Sequence, residues 1–153
     1  KLKRIREGAA RLGLTSIQTA AGDGRVFRPE WAQRFDVVLV DAPCSGLGII
    51  RKKPDVRYKK ADELFALPVI QTALLDNAAG YVAPGGVLVY STCTILPEEN
   101  EQVTEAFLQA HPEFERTAFT LPLPIGTCDG QLTLWPQRHG TDGFYICRMR
   151  RKD

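Results

Sequence analysis

The chain has 153 residues, 44% of them hydrophobic and 25% charged, with a formal net charge of +2. That is about one domain's worth of chain, with too much apolar content for intrinsic disorder. Its longest uncharged runs, such as Val37–Val40 and Gly86–Pro97, are too short or too polar to span a bilayer, and no apolar segment of a signal peptide follows the basic start Lys1-Leu2-Lys3-Arg4.

Leu2, Ile5, Ala9 and Leu12 recur at helical spacing between Lys and Arg, which predicts an amphipathic helix ending near Gly13. Ser16–Ala20 is a candidate strand, and Gly22-Asp23-Gly24 a turn after it. Phe35–Val40 is a β-branched apolar run and predicts a strand buried on both faces, hence parallel. A long loop follows from Asp41 to about Tyr58. The segment Ala61–Tyr81 is helical in composition, with a break expected at Pro68 in the first turn of a second helix. Pro84-Gly85-Gly86 predicts a turn and Val87–Tyr90 a second buried strand.

Pro97-Glu98-Glu99 places Pro and acids where a helix start favours them, so a helix is expected from there to about Gln109. Strands are expected near Phe114–Phe119, Gln131–Leu134 and Gly143–Met149, around a Pro-rich stretch Leu121–Gly130. Strands alternating with helices predict one α/β domain with a mostly parallel sheet and right-handed crossovers.

The four cysteines, at 44, 93, 128 and 147, form no CxxC pair, and only His111 and His139 could join them as soft metal ligands. No metal site is expected, and the thiols are read as free in a reducing, cytoplasmic setting. Basic residues cluster at both ends and between Arg51 and Lys60, where six of ten positions are Lys or Arg. Each cluster alone could be solvated surface, but together they favour a polyanionic partner.

Sites in open α/β sheets form outside the carboxyl ends of the strands. Two expected strands here end in loops that carry a thiol: Asp41-Ala42-Pro43-Cys44-Ser45-Gly46-Leu47-Gly48 and Ser91-Thr92-Cys93-Thr94. If those strands are neighbours, both thiols and Asp41 meet in one cleft, with Asp23 a further acid at a strand end. A single cysteine is most often a small buried hydrophobe, and Cys128 and Cys147 are read that way. Two thiols with an acid can do nucleophilic chemistry, one attacking and the other serving as acid or base. Asp41 could hydrogen-bond an amidine-like edge such as that of cytosine. Chemistry alone does not choose which thiol attacks.

These motifs resemble those of a known family. The Asp41–Gly48 segment, continuing to Arg51 and Pro54-Asp55, is similar to motif IV of the Sun-type RNA (cytosine-5) methyltransferases. Ser91–Thr94 followed by Pro97-Glu98-Glu99-Asn100-Glu101 is similar to their motif VI, and Gly143-Phe144-Tyr145-Ile146 with Arg148 to their last strand. The likeness covers nearly the whole chain. Within the family the chain is most similar to the bacterial 16S rRNA cytosine-5 methyltransferase B group.

The resemblance implies a Rossmann-like class I methyltransferase sheet and S-adenosylmethionine as cofactor. It implies attack of Cys93 on cytosine C6, release assisted by Cys44, and Asp41 near both base and cofactor. It also implies Asp23 at the adenine end, and RNA, ribosomal in the group it most resembles, held by Arg51, Lys52, Lys53 and Arg57. The family's Gly-rich cofactor loop and ribose-binding acid have no counterpart here, so the chain is expected to be the C-terminal part of a catalytic domain that lacks the first strands. An unpaired edge on Phe35–Val40, open to self-association, is then expected. Two other readings stay open: an RNA-binding piece without catalysis, and a DNA cytosine-5 methyltransferase with Cys44 as nucleophile.

Overall fold

A computed structural model of the chain describes residues 2–60 and 65–153. Helix α1 (Leu2–Arg11) forms as its periodicity predicts and stops where Gly13 takes a left-handed φ of +68°. Strand β1 (Phe35–Asp41) lies beside β2 (Val82–Thr92) in parallel, with Asp41 opposite Ser91. Between them runs α2 (Leu67–Ala79), with Pro68 in its first turn as expected. Positions 61–64 of the expected helix lie outside the described residues.

After β2 come α3 (Glu101–Ala110), β3 (Phe114–Arg116), β4 (Phe119–Leu121) and β5 (Gly126–Cys128). The chain ends through β6 (Gln131–Leu134), the short helix α4 (Pro136–His139) and β7 (Phe144–Arg151). The main sheet has the order β1-β2-β7-β3, with β6 also on β7, while β4 and β5 form a separate hairpin. The Pro-rich stretch thus contains a strand of its own, and the single strand expected near Phe114–Phe119 is two.

The α/β class is as expected, but the described sheet is mixed. Only β1 and β2 pair in parallel; β7 runs antiparallel to β2, β3 and β6. The short β6–α4–β7 connection reverses the chain without the long crossover that a parallel pair needs.

Three further expectations are corrected. Ser16–Ala20 is irregular and mostly exposed, because no described strand lies beside it to accept its backbone bonds. The turn at Pro84–Gly86 is a bulge inside β2: Phe35 faces Val82, but Val37 already faces Val87. Strand β1 is not buried on both faces. Val38 and Val40 pack on the core, whereas Val37 and Leu39 are 63% and 64% exposed. It is also the edge of the sheet, the exposed edge that the resemblance implied.

The core sits on one face of the sheet. Leu75, Ala78 and Ala79 of α2 and Val103 and Phe107 of α3 meet Leu88 and Tyr90 of β2 and Tyr145, Cys147 and Met149 of β7. Alternate residues of β2 and β7 supply that face, as the period of two requires. The packing fixes the carboxyl ends of β1 and β2 side by side at one rim of the domain. No helix among the described residues is long and apolar enough to cross a membrane.

Candidate active site

Both thiol loops leave that rim. The parallel register puts Asp41 and Ser91 level, and Ser91 Oγ reaches Asp41 Oδ1 at 3.5 Å. Three residues beyond Asp41 and two beyond Ser91, the Sγ atoms of Cys44 and Cys93 lie 3.0 Å apart. This is longer than a disulfide of about 2.0 Å, and both thiols are free. The Cys93 amide donates to Cys44 Sγ at 3.2 Å. Burial, then the hydrogen bond and negative charge of Cys93, push the Cys44 thiol up to about 12. Cys44 therefore keeps its proton at neutral pH and can donate it to the Cys93 sulfur.

The loops hold each other through close backbone contacts. Gly48 N–H donates to Cys93 O at 3.0 Å, and Gly143 N–H donates to Gly48 O at 2.8 Å. A Cβ on Gly48 would strike the Gly143 carbonyl, so only glycine fits there. Behind the thiols lies a buried polar layer. Ser45 Oγ donates to Thr94 Oγ1 at 2.7 Å, Glu99 Oε2 accepts the Ser45 N–H at 2.9 Å, and Lys59 Nζ donates to Ser45 O at 2.7 Å. Asn100 Nδ2 donates to Thr94 O at 3.1 Å.

Glu99 was expected in the first turn of a helix. That helix begins only at Glu101, and Glu99 turns inward at 1% exposure. Gln71 is fully buried in α2. A lone amide in the apolar run Leu67–Leu75 was the available signal for it. Asp142 carried no signal in the sequence, and Lys59 only that of the basic cluster.

Asp23 stands apart from the thiols. It lines a hollow of about 200 Å3 with Gly24, Trp31 and Tyr81. Hydrogen bonds from Arg25 hold its carboxyl down to about 2. A second hollow of about 290 Å3 shares Gly24 and Tyr81 and runs along β1 to Asp41. Asp23 and Asp41 thus line two adjoining hollows.

Of the expected phosphate contacts, Arg51 and Lys52 are paired with Asp142, at 3.3 Å and 2.5 Å. Lys53 and Arg57 are exposed, and Arg57 lies over the Tyr58 ring at 4.8 Å. Among the described residues no group of acids, His and Cys could hold a metal ion.

A family model described as 16S rRNA methyltransferase RsmB/F matches residues 1–150. The chain belongs to that family. The probable ribosomal RNA small subunit methyltransferase B of Bacillus subtilis is 46% identical to this RsmB/F chain over 159 aligned positions, covering 99% of the chain and 36% of the relative. The solved structure titled PH0851 matches with a TM-score of 0.87 and 36% identity over 98% of the chain and 34% of its own length. NSun6 from Pyrococcus horikoshii, solved with SFG, matches with a TM-score of 0.75 and 26% identity over 99% of the chain and 39% of its own. This RsmB/F chain therefore spans about a third of the length of the curated relatives it matches.

Proposed function

We propose that this chain carries the cytosine-5 methyl-transfer site of an RNA methyltransferase acting on ribosomal RNA in the cytoplasm. The observation that carries the reading is the pair of sulfurs 3.0 Å apart beside Asp41.

C5 of cytosine is a weak nucleophile. Attack of the Cys93 thiolate on C6 forms an S–C6 bond and opens the C5=C6 π bond, whose electron pair spreads over C5 and N3 and makes C5 enamine-like. Asp41 hydrogen-bonds the cytosine edge and favours that addition. Cys93 is the better candidate nucleophile because the raised Cys44 thiol stays protonated and donates to it. Once Cys93 is bonded to C6 it carries no charge, and two of the causes that hold the Cys44 proton are gone. Cys44 then acts through its minor thiolate fraction, larger once that charge is gone: it takes the C5 proton, the C5=C6 double bond re-forms, the S–C6 bond breaks and Cys93 leaves as thiolate.

The described residues fit S-adenosylmethionine. Trp31 and Tyr81 line the hollow at Asp23, with Arg28 over the Trp31 ring and Phe27 stacked on Tyr81, and Asp41 offers a carboxylate to a cation in the adjoining hollow. The Asp23–Arg25 pair is about half exposed on each side and opens at little cost. When bound, the cofactor supplies an electrophilic methyl group.

Lys53 and Arg57 hold RNA phosphates, joined by Arg51 and Lys52 when these leave Asp142. A paired or stacked target base has to be splayed out to reach the thiols. The exposed apolar residues of edge strand β1 favour self-association at high concentration.

The test is nucleoside analysis of small-subunit ribosomal RNA after incubation with the intact protein and S-adenosylmethionine. The expected product is 5-methylcytidine, lost in Cys93→Ala. A methylated exocyclic amine, or 5-methylcytidine that survives Cys93→Ala, contradicts the reading. Calorimetric titration with S-adenosylmethionine tests the cofactor separately.

A further inference from the structure

Cys44 lies in a loop, residues 42–46, that belongs to no helix or strand. Backbone bonds hold its two ends, Ala42 N–H to Ser91 O and Ile49 N–H to Gly46 O, at 3.0 Å each. The backbone groups on either side of Cys44 are both held from behind. Gln71 Nε2 donates to Pro43 O at 2.9 Å and to Glu99 Oε2 at 2.8 Å. The same Glu99 oxygen accepts the Ser45 N–H at 2.9 Å. Gln71 and Glu99 are 0% and 1% exposed; their bond to each other and the Ser45–Glu99 bond are buried, and the bond to Pro43 O is partly so.

Burying a carboxylate and an amide is costly unless they are hydrogen-bonded, and the second oxygen of each, Gln71 Oε1 and Glu99 Oε1, has no partner among the described residues. Here those bonds converge on the two groups that bracket one thiol. Neither side chain touches a sulfur.

We propose that Gln71 and Glu99 are positioning residues for Cys44, a buried clamp that fixes its main chain on both sides and so sets its sulfur against that of Cys93. The catalytic meaning rests on the reading of these two thiols as the reacting pair, but the clamp itself does not. Displacing a reacting group by about 1 Å can cost on the order of a hundredfold in rate, so loss of the clamp has a measurable effect.

The test uses diamide, whose N=N bond takes up the two thiol hydrogens as the Cys44–Cys93 disulfide forms. The rate reports how often the sulfurs meet and needs neither RNA nor cofactor. In a Cys128→Ser background, Gln71→Leu and Glu99→Ala are expected to slow this reaction at least about tenfold. Glu99→Gln keeps an oxygen for both donors and is expected to restore the parental rate to within about twofold. The fully buried Cys147 is the internal control: it stays unreactive to iodoacetamide while the fold is intact. Should Glu99→Ala expose Cys147, Gln71→Met, which preserves side-chain length in α2, decides instead.

Parental rates in folded Gln71→Leu or Gln71→Met protein overturn the clamp. So does a Glu99→Gln protein as slow as Glu99→Ala. If the cytosine-5 reading also holds, Gln71→Leu retains RNA–protein adduct, as Cys44→Ser does, with KM for RNA unchanged. Slow disulfide formation without any adduct would keep the clamp and count against the reading.

Discussion

The main chain of Cys93 holds the side chain of Cys44: its N–H donates to Cys44 Sγ at 3.2 Å, across 49 positions of sequence. The parallel pairing of β1 with β2 makes this contact. Because Asp41 and Ser91 lie side by side, the loops that follow leave the sheet in the same direction. An antiparallel pairing would send them to opposite rims.

The raised Cys44 thiol has a consequence in pH. Its thiolate forms only as pH rises towards about 12, well above an ordinary cysteine near about 8.5. Iodoacetamide labelling of Cys44, followed by peptide mass spectrometry, is expected to climb without a plateau through about pH 10. In Cys93→Ala the sulfur partner is gone and burial remains, so the inflection moves down but stays above the ordinary value. A plateau near about pH 9 in the parent chain contradicts this.

Among the described residues, the basic segment divides into the cations paired with Asp142, Arg51 and Lys52, and those with no acid partner, Lys53 and Arg57 among them. Lys53→Ala and Arg57→Ala are each expected to weaken RNA binding and to lower the slope of log K against log salt by about one. Asp142→Asn releases Arg51 and Lys52 and is expected to tighten binding at low salt. Fluorescence anisotropy across a salt series measures both. Weaker binding by Asp142→Asn would show that the acid orients these cations for RNA.

Gly48 and Gly143 let the two thiol loops touch. A Cβ on Gly143 would lie 2.6 Å from Ile95 Cγ2 and 2.7 Å from the Gly48 Cα. Gly48→Ala and Gly143→Ala are each expected to cost about 2–4 kcal/mol in urea denaturation, through overpacking against backbone that cannot yield. Gly8, within α1, has nothing within 4 Å of its would-be Cβ. Gly8→Ala is expected to gain about 0.5–1 kcal/mol.

Val37 and Leu39 expose an apolar face at the edge of the sheet. The double variant Val37→Lys, Leu39→Lys is expected to bind less apolar dye and to self-associate less in sedimentation. Its thermal midpoint should change little, since neither side chain packs in the core. Unchanged self-association would place the contact elsewhere.

Much of this site was legible in the chain because its chemistry lies in contiguous motifs. Asp41 with Cys44, and Cys93 with its flanking hydroxyls, each follow an apolar run that could be read as a strand. Their meeting required only that the runs be neighbours. The layer behind them was not legible, since Gln71 comes from a helix and Glu99 from the turn before another. Asp142, which engages Arg51 and Lys52, lies 91 positions from Arg51. The alternation that exposes Val37 and Leu39 was also hidden, because an apolar run reads the same whether or not both faces are covered. Antiparallel β7 was read as a strand, but its direction depends on the short α4 connection, which the residues did not announce.

In the proposed reaction Cys93 attacks the base and Cys44 releases it. The most direct measurement is mass spectrometry of the nuclease- and protease-digested complex formed by Cys44→Ser protein with ribosomal RNA and S-adenosylmethionine. A methylated cytidine bonded to the Cys93 peptide is expected, and no adduct in Cys93→Ser. Clean turnover by Cys44→Ser without adduct, or an adduct on Cys44 in Cys93→Ser, would contradict it.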